Sequence, residues 1–339
     1  MAREIGSEFH RMPPEHGTGM PFPGTADSAL VFSGRTAIAA VLAELPDART
    51  ALLPAYCCDS MAEPFRRAGI RVDFYGVSGK DGLRIGLPEH PDADILLWCN
   101  YFGFRTPMPD LSGFIRRGGI VIEDITHSLL SEPQAHDQPQ YLVASLRKWE
   151  PILCGGWCAS RVGVLTHKPQ TPPPETFTAE KAEAMAMKTR YLERPDEADK
   201  PAFLTRFGQS NAWLAGNYEG LAIDGNSADF LRSADIPAQR AARRRNAHRL
   251  YERLADRVTF LFPEEDMDCP LFVPVVIPNR RDEVRGALTA QGIYCPIHWP
   301  RPKADCDSDL YDTELSLVCD QRCGCGDMDR LADALRALL

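Results

Sequence analysis

The chain of 339 residues has no dominant basic run, and its formal charge is −9. A nucleic-acid groove needs Lys and Arg to neutralise several phosphates at once, so nucleic acid is excluded as a main partner. No apolar run approaches the roughly 20 residues that cross a bilayer. The opening MAREIGSEFHRMPPEHGTGMP is polar and proline-marked, without the apolar core and small-residue cleavage site of a secretory signal. A cytoplasmic protein with no membrane partner is therefore expected. In that compartment the 11 cysteines stay mostly reduced. Cys319, Cys323 and Cys325, in CDQRCGCGD, are the only set that hints at metal, and a second ligand pair at familiar zinc spacing is missing. They read as thiols of a loop, and no metal is expected. Internal repeats are absent as well.

What is present is enough apolar material, 44% of the chain, for one large core and a second smaller one. The expected division is an N-terminal arm over 1–27, a large domain over 28–225 and a small C-terminal domain over 226–339. In ALVFSGRTAIAAVLAELP, Ser33 and Gly34 precede Ile38, Val41, Leu42 and Leu45 at helical steps. Ser33 reads as an N-cap, and a helix opened by a small-residue turn offers N–H groups and a positive dipole end to a phosphate. From Ala48 strands and helices alternate on a short period: ALLP, then Asp59 to Ala68 as a helix, then RVDFYGV, ADILLWCNYFG, LSGFIRRGG and IVIEDITH. That alternation predicts a largely parallel sheet covered on both faces, with ligands at the carboxyl ends of its strands. Ser33, Tyr56, Tyr101 and Asp124 would sit there.

YLVASLRKW reads as the next strand and turn, and WCASRVGVLTH as an antiparallel partner returning across the sheet. Residues 168–225 give a proline-rich loop and a mixed-charge helix, after which NAWLAGNYEGLAIDG has no clean period. From Asp235 a long helix is expected with Ala247, Leu250, Tyr251 and Leu254 on one face, and the run Arg243 to Arg245 with Arg249 on a solvated one. VTFLF, LFVPVVIP, DEVRGALTAQG and YCPIHWP then predict strand, strand, helix and strand of a small α+β domain, and DMDRLADALRALL a closing amphipathic helix.

The chemistry concentrates between Val121 and Gly156. VIEDITHSLL places Asp124 at the end of a buried strand with His127 three residues on, and SLRKWEPILCGG places Lys148 ahead of a glycine pair. An aspartate facing a heteroaromatic nitrogen keeps that nitrogen protonated, and a lysine in a dry pocket condenses with an aldehyde. Together they describe a pyridoxal phosphate site. Each residue also has a plainer reading on its own: Asp124 as a helix cap, His127 as a satisfied core histidine, Lys148 as a solvated loop residue.

In this order the segments SGRTAI, LPAYCCDSM, VIEDITHS, SLRKWEPILCGG, YCPIHWPRP and CDQRCGCGDMDRLADAL make a chain that resembles the DegT/DnrJ/StrS aminotransferases. The match touches most of the chain and is strongest over about residues 28–165. The resemblance implies an α/β fold of the fold-type-I pyridoxal phosphate class, with a mostly parallel central sheet covered by helices and a smaller C-terminal α+β domain. It implies that Lys148 forms the internal aldimine, Asp124 pairs with the pyridine nitrogen and His127 lies near the phenolic oxygen. Ser33, Gly34, Arg35 and Thr36 match the phosphate turn, and Ser145 a serine reaching the same phosphate. Tyr56, Cys57 and Cys58 match the segment covering the ring face, where Cys58 stands at a position that is often aromatic.

Tyr101, Arg147, His298 and Trp299 are the substrate-binding candidates. Arg147 and Trp149 flank the lysine where many members carry smaller or different residues, and the family's asparagine motif, contributed by the neighbouring subunit, has no clear counterpart, with Asn211 or Asn217 as candidates. The activity implied is amino transfer to a keto compound, by family habit a keto sugar linked to a nucleotide, with glutamate or glutamine as donor. The alternatives are a lyase, decarboxylase or condensing enzyme on the same cofactor, or a cofactor-binding or interaction protein without turnover. A homodimer with the active site at the subunit interface is implied too.

Overall fold

The computed structural model describes residues 4–196, 198–302 and 306–339. By contact they gather into two compact units, each assembled from separated stretches: 8–47 with 140–236, and 4–7 with 48–139 and 237–339. The sequence division at 225/226 runs along the chain, whereas these units follow contact.

In the first unit the strands Asp27–Val31, Gly156–Ser160 and Tyr141–Ser145 pair antiparallel, with Gly156–Ser160 in the middle. This is the return expected of WCASRVGVLTH. The register sets Gly156 opposite both Val31 and Ser145. The helix Gly34–Ala43 starts just after the first strand and buries Ile38, Val41 and Leu42, as its spacing predicts. Glu175–Glu193 is followed by a second helix, Asp199–Gly216, to which only 211–216 of the stretch without a clean period belongs, and the two share a core of Ala184, Met185, Tyr191, Phe203 and Phe207. Phe203, Phe207, Ser210 and Leu214 do face inward at three- and four-residue steps, but a serine in that stripe and Pro201 in the first turn obscure it.

The second unit holds the parallel strands, in the order Ile120–Asp124, Ile95–Cys99, Thr50–Pro54 and Arg71–Ser78, with Arg84–Gly86 antiparallel beyond the last. ILLWC is buried at every residue, the continuous apolar run of a strand covered on both faces. The helix Asp59–Arg67 follows the Thr50–Pro54 strand, with an acid in its first turn and Arg66 and Arg67 in its last, each complementing the helix dipole. A smaller antiparallel sheet of Thr259–Phe260, Val273–Val276 and Glu314–Leu317 completes the unit, with the helices Arg281–Ala290 and Cys325–Leu338. On the long helix Ile236–Leu254 the expected Ala247, Leu250, Tyr251 and Leu254 are all buried.

Two expectations in this unit are corrected. Of YCPIHWP only Tyr294 is in a strand, Ile293–Tyr294, paired in parallel with Ile5–Gly6, because Pro296 and Pro300 have no N–H to give a ladder. Arg243 is not on a solvated face: it is fully buried and donates to the carbonyls of Pro270 and Leu271 at 3.3 and 3.2 Å, while Arg244 and Arg245 are exposed. Cys319 and Cys323 are buried and Cys325 is exposed. Among the described residues, no group of three or more His, Cys, Asp or Glu side chains is placed to hold a metal ion, and no helix is long and apolar enough to cross a membrane.

Candidate functional site

The candidate residues fall into a group in each unit. In the first unit Ser33 is the N-cap of the helix Gly34–Ala43, extended at φ −158° and ψ 171°, and its Oγ accepts from the Thr36 N–H at 3.2 Å. The two hydroxyls also meet at 2.9 Å, and Thr36 Oγ1 donates to the Tyr218 carbonyl at 2.8 Å. The turn is thus fixed by its own side chains at the N-terminal end of the helix, the end that attracts an anion. Two glycines make this packing possible. A Cβ on Gly156 would lie 2.2 Å from the Ser33 carbonyl oxygen, and one on Gly34 would lie 3.1 Å from Ser145 Cβ. Ser145, the last residue of its strand, is therefore held against the turn.

Lys148 ends the short 3₁₀ turn Leu146–Lys148 that follows Ser145. Leu146 anchors that turn, buried and bonded to the Gly155 carbonyl at 3.1 Å. Arg147 shares it: burial pushes the guanidinium down from its ordinary range, Glu8 pulls it up, and Arg35 pushes it down again. Glu8 in turn accepts from Asn211 Nδ2 at 2.9 Å and faces Lys181 Nζ at 3.3 Å. Loss of water pushes the Glu8 carboxyl up, but Lys181 and Arg147 outweigh it and hold the group below its usual range. Asn217 donates to the Trp213 carbonyl at 2.8 Å. The amides of both asparagine candidates are thus engaged inside their own unit.

In the second unit Asp124 ends the strand Ile120–Asp124 and is buried. No helix follows it; its Oδ1 accepts from the Thr126 N–H at 2.8 Å and turns the chain. That turn brings back His127, whose Nδ1 accepts from the Phe102 N–H at 3.0 Å. A neutral His127 therefore carries its proton on Nε2. Its ring stacks on Trp299 at 5.5 Å and meets His298 edge-on at 5.5 Å. Five of the expected residues, His127, His298, Trp299, Tyr56 and Tyr101, are in one aromatic cluster.

The ring-face segment divides. Tyr56 is fully buried among Tyr101, Trp299 and Tyr311. Tyr101 is equally buried and donates its hydroxyl to the Tyr56 carbonyl at 2.8 Å. Cys57 is buried, and its N–H donates to the Tyr311 hydroxyl at 3.0 Å. Cys58 occupies the N-cap position of the helix Asp59–Arg67, half-buried, with its Sγ 2.6 Å from Ser60 Oγ. Beneath the aromatic cluster lies a group that sequence reasoning missed: Glu314, wholly buried, accepts from the His298 N–H at 2.7 Å and from the Ser316 hydroxyl. Burial raises its carboxyl to about 8, against the lowering pull of Ser316, the His298 N–H, Arg281 and Tyr56. A buried acid two residues from a buried serine in ELSL carries no signal in the sequence, since alternation would set both toward water.

No family model matches the chain, and no curated protein does. Solved structures do match. A DegT DnrJ EryC1 StrS aminotransferase from Brucella abortus is 15% identical over 92% of this chain and 85% of its own, with a TM-score of 0.59. DesI, solved in the presence of its TDP-sugar product, is 16% identical over 91% of this chain and 80% of its own, also at 0.59. A NifS-like protein is 13% identical over 92% and 82%, at 0.57. At such identities the likeness is one of architecture. The chain has the α/β fold of the fold-type-I pyridoxal phosphate enzymes, with mostly parallel strands, covering helices and a smaller α+β part.

Proposed function

We propose that the protein is a pyridoxal phosphate-dependent aminotransferase acting on a keto sugar, with glutamate or glutamine as amino donor. The observation that carries this reading is the construction around Ser145. Gly34 and Gly156 let a capped helix N-terminus pack on that serine, and Lys148 follows it by one short turn. A Cβ at Gly156 would fill the space that the turn occupies, so this glycine holds the helix N-terminus in place, and that end attracts an anion such as the cofactor's phosphate. The donor set of the second unit fits the rest of the group: a buried carboxylate, Asp124, for a ring nitrogen, and an Nε2–H of His127 for an oxygen. The resemblance to the DegT/DnrJ/StrS aminotransferases supports assigning these residues to one reaction, and the TDP-sugar product of DesI supports a nucleotide-linked substrate.

When bound, the cofactor supplies an electron sink for the bond broken at the amino-bearing carbon. This chain's residues do the rest. Ser33 to Thr36 and Ser145 bind phosphate, Asp124 holds a proton at the ring nitrogen, and His127 donates from Nε2. Lys148 Nζ is the anchoring amine and then carries the proton between carbon atoms. Tyr56, Cys57 and Cys58 form the wall of the ring site, and Tyr101, Arg147, His298 and Trp299 are assigned to the substrate. The family resemblance also supports a homodimer with the active site at the subunit interface. The direct assay supplies glutamate and a nucleotide-linked keto sugar. It should yield 2-oxoglutarate and amino sugar in equal amounts, with both lost in Lys148→Ala. Release of carbon dioxide or ammonia without amino sugar would instead assign a decarboxylase or lyase.

A further inference from the structure

Glu314, Ser316 and His298 form a chain of hydrogen bonds within the second unit. His298 Nδ1 lies 2.7 Å from Ser316 Oγ, Ser316 Oγ bonds Glu314 Oε1, and Glu314 Oε2 accepts from the His298 backbone N–H. The last bond assigns Oε2 as the acceptor oxygen and leaves Oε1 as the one that can hold a proton. We propose that Glu314, acting through Ser316, is a positioning residue that determines which ring nitrogen of His298 carries the proton.

With Glu314 neutral, Oε1–H donates to Ser316 Oγ, the serine hydroxyl donates to His298 Nδ1, and the imidazole proton sits on Nε2. With Glu314 ionised, the serine hydroxyl turns to Oε1, accepts from Nδ1–H, and leaves a lone pair on Nε2. The imidazole stays neutral in both forms; only the direction of the two hydrogen bonds reverses. Burial favours the neutral form, against the pull of the donors and the cation that face the carboxyl. Arg281 is the nearest cation, yet its Nη1 and Nη2 donate to the carbonyls of Glu314 and Tyr311 and its Nε to Asp282, at 2.8, 2.7 and 2.7 Å. Tyr56, Tyr311 and Cys295 face the same pocket, and burial pushes the titration of all three up. On the paired strand the residue opposite Glu314 is Val276. His127 meets the His298 ring edge-on at 5.5 Å.

The consequence for substrate rests on the reading of His298 as substrate-facing: an Nε2–H presents a donor to a sugar hydroxyl or carbonyl oxygen at neutral pH and an acceptor in alkali. The tautomer does not depend on that reading. It is read in the full-length protein by ¹⁵N NMR of labelled histidines between pH 6.5 and 9.5, with His298→Gln identifying the resonances. His298 should carry its proton on Nε2 at pH 7 and move it to Nδ1 as Glu314 titrates near pH 8. In Glu314→Gln the amide donates to Ser316 as the neutral acid does, so Nε2–H should persist across the range. Ser316→Ala should uncouple His298 from the pH step. A wild-type tautomer that does not move, or a Glu314→Gln protein that moves as wild type does, overturns the proposal. Loss of aminotransferase activity would not bear on it.

Discussion

Replacing Glu314 by glutamine should change how stability depends on pH while leaving the fold in place, because the amide keeps the shape and both hydrogen bonds of the neutral acid. The magnitude follows from the titration. Burial raises the carboxyl from an ordinary 4.5 to about 8, so between those values the folded protein holds a proton that the unfolded chain releases. Stability must then fall as pH rises, with the slope of one proton, about 1.4 kcal/mol per pH unit. The decline starts near the unfolded value and flattens above the folded one. Over the window it amounts to roughly 5 kcal/mol at most. Urea unfolding of both proteins at half-unit steps from pH 5 to 9 isolates the contribution, since every other group titrates in both. Wild type should lose stability relative to Glu314→Gln across that range by several kcal/mol. Parallel curves would mean that Glu314 is ionised in the fold, and the pocket description would be wrong.

Two further outcomes test the packing. Asp320 is buried and joined to the half-buried Arg322 by a two-pronged contact of 2.7 and 3.0 Å; burial pushes Asp320 up, yet Arg322 and Arg243 bring it down to about 2. A lowered acid contributes stability above its unfolded value and loses it as pH falls through the folded one. About 2 kcal/mol should therefore disappear between pH 4 and pH 2 in acid unfolding, and Asp320→Asn should lose at least that at neutral pH. Gly156→Ala should cost about 1–3 kcal/mol in thermal unfolding and weaken pyridoxal phosphate in a fluorescence titration, because its Cβ would displace the Ser33 carbonyl.

The parts of the fold legible in the sequence were those whose pattern and burial agree. IVIED is apolar up to its acid, so the strand end and the place of Asp124 could be read directly. The SGRT turn announces a cap, and the cap is made. Polar groups that face inward were illegible: Ser210 hid a helix, Glu314 and Ser316 hid the relay, and Arg243 took a buried carbonyl pair where its helix predicted water. A binary pattern assigns each of these to solvent, and only long-range partners reverse the assignment. Asp124 and His127 show the opposite case. The sequence left a helix cap open for Asp124, and the turn at Thr126 replaces it.

The central claim is that Lys148 carries the cofactor. The visible spectrum of the purified protein, followed by borohydride reduction and peptide mapping, tests it directly. A yellow protein is expected, its colour lost on reduction, with the pyridoxyl adduct on Lys148 alone. A protein that stays colourless with added pyridoxal phosphate, or an adduct on another lysine, would contradict it.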